Sequence, residues 1–356
     1  MAIYWAILII PVLLGITKIH SDKYLSLIQW SVYGVLLSLL IGLRHEVGGD
    51  WDNYMYNNYM YVSLGGVEFL DLFSPQYMVE DIGFLIVHWF SMNFSSLGIY
   101  LTNFIMSIIF VSGLFRICRM MPIPWLALVV AIPYLVTVVS MGYTRQSAAI
   151  GFIMWGLADL LSGNKGKFYL SIFIAILFHK AAIVWVPIAM LVKFNHRSYR
   201  KLDFLVLMIS ILGLFFLLTK IEHLIYYYIT HQYFESTGSF VRISINTLAA
   251  FIFFFYRKKW ILEYKDANIL TILAIVSIVM LPLSLLSSTA ADRLSLYLIP
   301  IQMIVFSRIP RLIVDERIRA LFIFLVVIFY IAVLFVWLNF GIFSKFWIPY
   351  NNFIFL

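Results

Sequence analysis

LFIFLVVIFYIAVLFVWL, residues 321–338, is an unbroken apolar run with no charge and no amide. At 1.5 Å per residue, a helix over this run is about 27 Å long, close to the roughly 30 Å of hydrocarbon in a bilayer. ILTILAIVSIVMLPLSLL, residues 269–286, repeats the pattern. The whole chain agrees with these two segments. Of 356 residues, 63% are hydrophobic and 12% charged, with a mean hydropathy of +0.97, whereas soluble domains carry about 25% charged residues. The sequence therefore predicts an all-α polytopic membrane protein.

Working outward, apolar segments fall near 3–17, 27–43, 98–115, 125–141, 146–161, 168–178, 181–192, 203–219, 243–256, 268–286, 294–307 and 319–339. That makes about twelve transmembrane helices, several of them short or broken. The first segment lacks a basic lead and a small-residue cleavage signal, so it reads as a retained span. No repeat, linker or soluble module divides the chain, and residues 1–356 read as one integral membrane domain.

The net charge of +8 is sorted by side. With the N-terminus outside, all but seven of the 25 Lys and Arg residues fall inside, including the dense cluster from Lys193 to Lys201. The seven outer ones are Arg44, Arg145, Lys180, Lys220, Arg242, Arg293 and Lys345. The positive-inside rule selects this orientation, and the sorting removes any reading of the charge as a nucleic-acid footprint. The single cysteine, Cys118, forms no internal disulfide and fits no metal-ligand spacing.

Two larger outer loops are expected, near 44–98 and 220–241. Both mix aromatics with acids and amides, a composition that suits sugars: rings stack on pyranose faces while carboxylates and amides bond hydroxyls. An aromatic belt at the membrane interface explains the same composition. Arg145, Arg242 and Arg293 each stand at the start of an apolar run, with Thr144 and Asp292 as the expected N-caps for the first and last. A helix N-terminus draws anions, and a guanidinium presents a fork of donors to phosphate oxygens. Together the three predict a pyrophosphate site, against the simpler reading of snorkelling anchors.

His179 and Lys180 lie at the apex of the short pair 168–178 and 181–192, where an ionisable group faces protein or a wet cavity. As a base His179 takes a proton and as a cation it steadies a leaving group; the residues alone leave both open. The outer acids Asp50, Asp52, Glu80 and Asp81 are the other candidate bases. Asp50 and Asp52 form a D-x-D pair, for which no further metal ligands are recognisable, so no metal is expected.

At RHEVGGDWDNY, residues 44–54, the chain resembles the EpsG/Wzy-type family of bacterial polysaccharide polymerases. Arg44, Val47, Gly48, Asp50, Trp51 and Tyr54 match its Arg–x–x–Val–Gly–x–Asp–aromatic–x–x–Tyr pattern, with Gly49 where Thr is frequent. Glu80, Gly83 and Phe84 resemble its Glu–x–Gly–aromatic element. Arg145–Gln146 resembles its Arg–Gln helix start, Phe178–His179 its Phe–His element, and Arg293 with Tyr297 its late Arg–apolar–Tyr segment. The flanks of Arg242 align least well.

The resemblance implies a membrane glycosyltransferase of the bacterial inner membrane with its active site facing the periplasm. A glycan on undecaprenyl pyrophosphate passes to the non-reducing end of another lipid-linked repeat unit. Donor and acceptor are both undecaprenyl-pyrophosphate-linked oligosaccharides; a chain-length regulator is a conceivable partner, and no cofactor is implied. On this reading His179, Asp50 and Glu80 are catalytic, Arg145, Arg242, Arg293 and Arg44 hold pyrophosphate, and Asp52, Trp51, Tyr54, Tyr297 and Gln146 contact glycan. Two rivals remain: an O-antigen ligase using the same donor, and a flippase for the same lipid. The flippase fits less well, because repeated halves are absent and the unusual charges gather on one side.

Overall fold

The computed structural model describes residues 1–16, 23–56, 68–73, 81–95, 97–192, 236 and 238–356. The expected apolar segment 203–219, Glu80, the cluster Lys193–Lys201 and nearly all of the loop 220–241 lie outside them. Among the described residues the architecture is helical apart from one pair of two-residue strands. The helices are α1 (Ala2–Ile16), α2 (Lys23–Gly42), α3 (Ile82–Phe94), α4 (Ile99–Arg119), α5 (Pro124–Ala131), α6 (Thr144–Leu161), α7 (Lys165–Phe178) and α8 (Trp185–Leu191). After them come α9 (Ser239–Glu263), α10 (Ala267–Leu286), α11 (Ser288–Ser295), α12 (Pro300–Leu312) and α13 (Glu316–Phe340).

Among the described residues five helices are long and apolar enough to cross a membrane: Tyr24–Gly42, Ile99–Arg119, Ser239–Glu263, Ala267–Leu286 and Glu316–Phe340. The fold is that of an all-α membrane protein, but five such spans fall short of the expected twelve. Breaks account for much of the difference. Residues 294–307 are cut into the end of α11, a 3-10 turn at Leu296–Leu298 and α12, and 181–192 begins as a 3-10 turn at Lys180–Val184. The loop expected over 44–98 also needs correction, because it contains α3. Phe84, His88 and Ser91, spaced four and three apart, carry the buried stripe of that helix with Gly83 and Leu85 beside them, and it packs against α4 and α7.

The tightest crossing is between α4 and α6. A Cβ on Gly113 would stand 2.1 Å from the Gly151 carbonyl oxygen, and one on Gly151 would stand 2.8 Å from Phe110 Cα. Small residues here let two backbones touch, which is how helices associate where lipid removes the hydrophobic drive. At the far side α13 is exposed: Phe324, Leu325, Phe335 and Val336 are all open, as a lipid-facing surface requires.

The two ends of the bundle are built differently. At one end, strand Arg44–His45 pairs antiparallel with Asn351–Asn352, and Tyr4 Oη donates to the Trp347 carbonyl at 2.6 Å. Trp347 Nε1 donates to the Thr137 carbonyl at 2.8 Å. Gly48, at φ +110°, leaves no room for a side chain, since its Cβ would meet the Met141 carbonyl at 2.2 Å. Near the other ends of these helices, basic residues meet acids: Arg116 pairs with Asp159, Arg308 with Asp266 and Arg311 with Glu263.

Gly113→Val should force α4 and α6 apart and abolish a monodisperse peak on size-exclusion chromatography. Gly15→Ala should leave it unchanged, because its Cβ meets Trp125 only at an ordinary 3.5 Å. A normal profile for Gly113→Val would remove this crossing from the list of required contacts.

Candidate functional site

The site begins where α3, α6 and the turn after α7 converge. Arg145 is the second residue of α6. Its Nη1 lies 3.4 Å from Asp81 Oδ2, while Asp81 Oδ1 accepts the Lys180 backbone N–H at 3.1 Å. One buried carboxylate thus ties three chain segments together. The rings of Phe84 and Tyr54 lie under the guanidinium, with centroids 5.6 and 6.0 Å away, close enough for cation–π attraction. Asp81 rather than Glu80 stands two residues before Gly83, the spacing that a Glu–x–Gly–aromatic element requires. The α6 start also differs from expectation. Tyr143 is its N-cap, and Thr144 Oγ1 instead accepts from Arg44 and donates to Asn103 Oδ1.

His179 interrupts the chain in an extended conformation between α7 and the 3-10 turn Lys180–Val184. Its Nδ1 accepts the Ala181 N–H at 3.3 Å and lies 3.0 Å from Tyr297 Oη. A nitrogen that accepts from a backbone amide carries no proton, so the proton sits on Nε2 and the tyrosine donates to Nδ1. Burial, reinforced by Arg145, Arg293 and Lys180, holds the imidazole well below its usual range. The ring is therefore neutral, with its Nε2–H as the group left to donate.

Arg293 does not begin a helix. It lies in the last turn of α11, whose N-cap is Ser287, so Asp292 is no N-cap either. That carboxylate grips Arg242 instead, Nε to Oδ1 at 2.9 Å and Nη2 to Oδ2 at 2.6 Å, while Ser236 Oγ donates to the same Oδ2. Arg242, the fourth residue of α9, is thus engaged by protein in a bidentate pair. Arg293 itself is exposed. Among the described residues its guanidinium makes no hydrogen bond and no ion pair.

What aims Arg293 is the backbone beneath it. Pro300 has no N–H, the helix tightens before it, and the Ile299 N–H turns to the Leu296 carbonyl. The Ser295 carbonyl is then taken by Asn246 Nδ2 at 2.9 Å, and Gln146 Nε2 donates to the Arg293 carbonyl at 3.0 Å. Side-chain amides from α9 and α6 hold the turn from either side.

Asp50 completes the group. Burial raises its pKa above the usual carboxylate range, opposed by Arg145, Arg293 and Arg44 nearby. Tyr143 sits within electrostatic reach of Asp50, Asp292, Arg242 and Arg293. The sequence analysis does not single it out; its position two residues before Arg145 is the only signal the chain offers.

Several expected ligands face inward. Arg44 is buried, with donors on the Val47 and Ile41 carbonyls and on Thr144, so it braces the loop and cannot reach pyrophosphate. Gln146 supports a backbone and Tyr297, fully buried, supports His179. Trp51 is enclosed by His45 and Tyr100, and Tyr54 is buried against Phe84; neither offers a ring face to a sugar. Asp52 is exposed.

A family model described as EpsG family matches residues 27–352. No curated protein and no solved structure matches the chain.

If Arg242 is a partner of Asp292 first, removing the acid should harm the fold more than removing the base. A guanidinium cannot discharge, whereas an orphaned carboxylate can protonate. Stranding one member of a buried pair costs about 3–5 kcal/mol. Asp292→Ala should therefore lower the melting temperature in detergent more than Arg242→Ala, and the double variant should recover part of the loss. Equal, additive losses would show the two side chains act independently.

Proposed function

The chain belongs to the EpsG family, and on that premise we propose that it is a polysaccharide polymerase acting at the outer face of the bacterial inner membrane. It transfers a glycan from undecaprenyl pyrophosphate to the non-reducing end of another lipid-linked repeat unit. The observation that carries this reading is Arg293: a solvent-facing guanidinium with no partner among the described residues, beside Arg145, Asp50 and His179. An anion placed there finds a fixed cation at no cost of breaking another bond.

In the reaction the bond between the anomeric carbon and the pyrophosphate oxygen breaks, and one forms between that carbon and an acceptor hydroxyl. Negative charge grows on the departing pyrophosphate. Arg293 answers it directly, Arg145 adds charge while still held by Asp81, and the His179 Nε2–H donates a hydrogen bond. The acceptor proton goes to Asp50, whose raised pKa makes it a stronger base than an ordinary carboxylate. Orientation is supported by the sorting of basic residues, with the acid-paired ones at the cytoplasmic end.

Arg145→Ala or Arg293→Ala, returned to a deletion strain, should abolish the surface-glycan ladder while the single capped repeat remains. Loss of one such contact is worth about 2–4 kcal/mol, or roughly 30- to 1,000-fold in rate. Lysine at either position should rescue only in part, since an ammonium lacks the forked geometry. Loss of all glycan in the deletion strain would favour a ligase or flippase, and normal ladders from both alanine variants would end the pyrophosphate reading.

The role of Asp50 has a pH signature. A base must be deprotonated, so turnover should fall as pH drops through the raised pKa of Asp50, at a higher pH than an ordinary carboxylate would give. Asp50→Asn should lose activity across the whole range. A variant that keeps the wild-type acid limb would transfer the role elsewhere.

A further inference from the structure

Beside the Arg242–Asp292 pair opens a cavity of about 740 Å³ between α9, α12 and α13. Its lining runs along α9 from Gly238 to Leu248 and along α13 from Phe329 to Phe340. At 1.5 Å per residue each edge is about 15 Å long, half the hydrocarbon thickness. The outer end carries Arg242 and Asp292, and Arg293 follows directly in the chain. The walls are mostly apolar, with Leu248, Val333, Val336 and Phe340 among them.

Of the polar side chains on the wall, Tyr330, Gln302 and Asn246 are joined into a ladder. Tyr330 Oη donates to Gln302 Oε1 at 2.6 Å, Gln302 Nε2 donates to Asn246 Oδ1 at 2.6 Å, and Asn246 donates to the Ser295 carbonyl. Each of these three already has its partner on this ladder and Ser244 Oγ donates to the Phe240 carbonyl, while the buried Ser295 hydroxyl has none among the described residues, so the wall asks few hydrogen bonds of a guest. A polar ligand would gain little there, whereas hydrocarbon gains the full contact.

We propose that this groove holds the hydrocarbon chain of the lipid whose pyrophosphate lies at Arg293, entering sideways from the bilayer. The inference rests on the pyrophosphate reading of the site and adds where the chain goes. It commits to the substrate's own chain rather than to a bilayer phospholipid, because the outer end of the groove adjoins Arg293, whose guanidinium, unlike that of Arg242, has no ion-pair partner among the described residues and suits a more highly charged head than a phosphodiester.

The test is binding to the purified full-length protein in nanodiscs, with inorganic pyrophosphate and farnesyl pyrophosphate as probes. Val336→Trp fills the groove from an exposed position, 55% accessible, so the fold should tolerate it; Ala332→Trp is a second such variant. Both should weaken farnesyl pyrophosphate about tenfold or more, the loss from excluding only two methylenes, and leave inorganic pyrophosphate unchanged. Arg293→Ala should weaken both probes. The proposal is overturned if the tryptophan variants bind farnesyl pyrophosphate normally, if they weaken both probes equally, or if nanodiscs of anionic phosphatidylglycerol displace farnesyl pyrophosphate as well as unlabelled probe does. The assay needs no turnover. Binding as expected without a glycan ladder phenotype would leave the groove standing and remove the polymerase.

Discussion

A guanidinium inside a membrane protein cannot shed its proton, so it has to be met by an acceptor. Arg44 is met by two carbonyls and a threonine, Arg116 by Asp159, Arg242 by Asp292, Arg308 by Asp266 and Arg145 by Asp81. Apart from the two carbonyls that Arg44 meets close by in the chain, each pairing joins segments distant in sequence, and together they fix how the helix ends meet. Arg293 stands outside this scheme. It projects into solvent from a helix whose preceding residue is locked by Arg242 and whose carbonyls are held by Gln146 and Asn246. The fold positions this cation firmly, and among the described residues no carboxylate forms an ion pair with it, which is the arrangement a phosphate site needs.

Departures from regular α-helix gather around the same place. A π-helical stretch, Ile132–Ser140, leads to Tyr143; a 3-10 turn follows His179; another follows Ser295. Pro133 and Pro300 lack the N–H that a regular helix would use, so the breaks at the first and last are written in covalent structure. Each break frees or redirects carbonyls and turns a side chain that a straight helix would have pointed elsewhere. Within hydrocarbon such irregular backbone persists only where side chains satisfy it or a cavity waters it, and the amides of Gln146 and Asn246 serve that purpose here.

Hydropathy made the long spans legible: residues 269–286 and 321–338 lie within α10 and α13. It also marked His179, because two apolar runs too short to stand alone must meet at a break. The scarcity of basic residues on one side marked Arg145 and Arg293. Pairing partners were beyond reach. Nothing local says that Asp292 serves Arg242 fifty residues away, or that Asp81 faces Arg145. Burial was hidden for the same reason. Trp51 and Tyr54 read as sugar platforms from composition, yet long-range packing encloses both. Helix α3 was missed because its flanking acids and aromatics gave the segment the look of a loop.

The pairing of Arg44–His45 with Asn351–Asn352 also sets a timetable. The first large loop leaves the ribosome roughly 300 residues before its partner strand, a delay of about 15–60 s at 5–20 residues per second. Throughout that interval Arg44 lacks its Asn352 pairing and Gly48 its bond to the Phe346 carbonyl, the contacts that close their end of the bundle. The membrane helices can insert and pack meanwhile, but this end can close only after the last span is made. A nascent chain is therefore inserted long before this end of its bundle is complete.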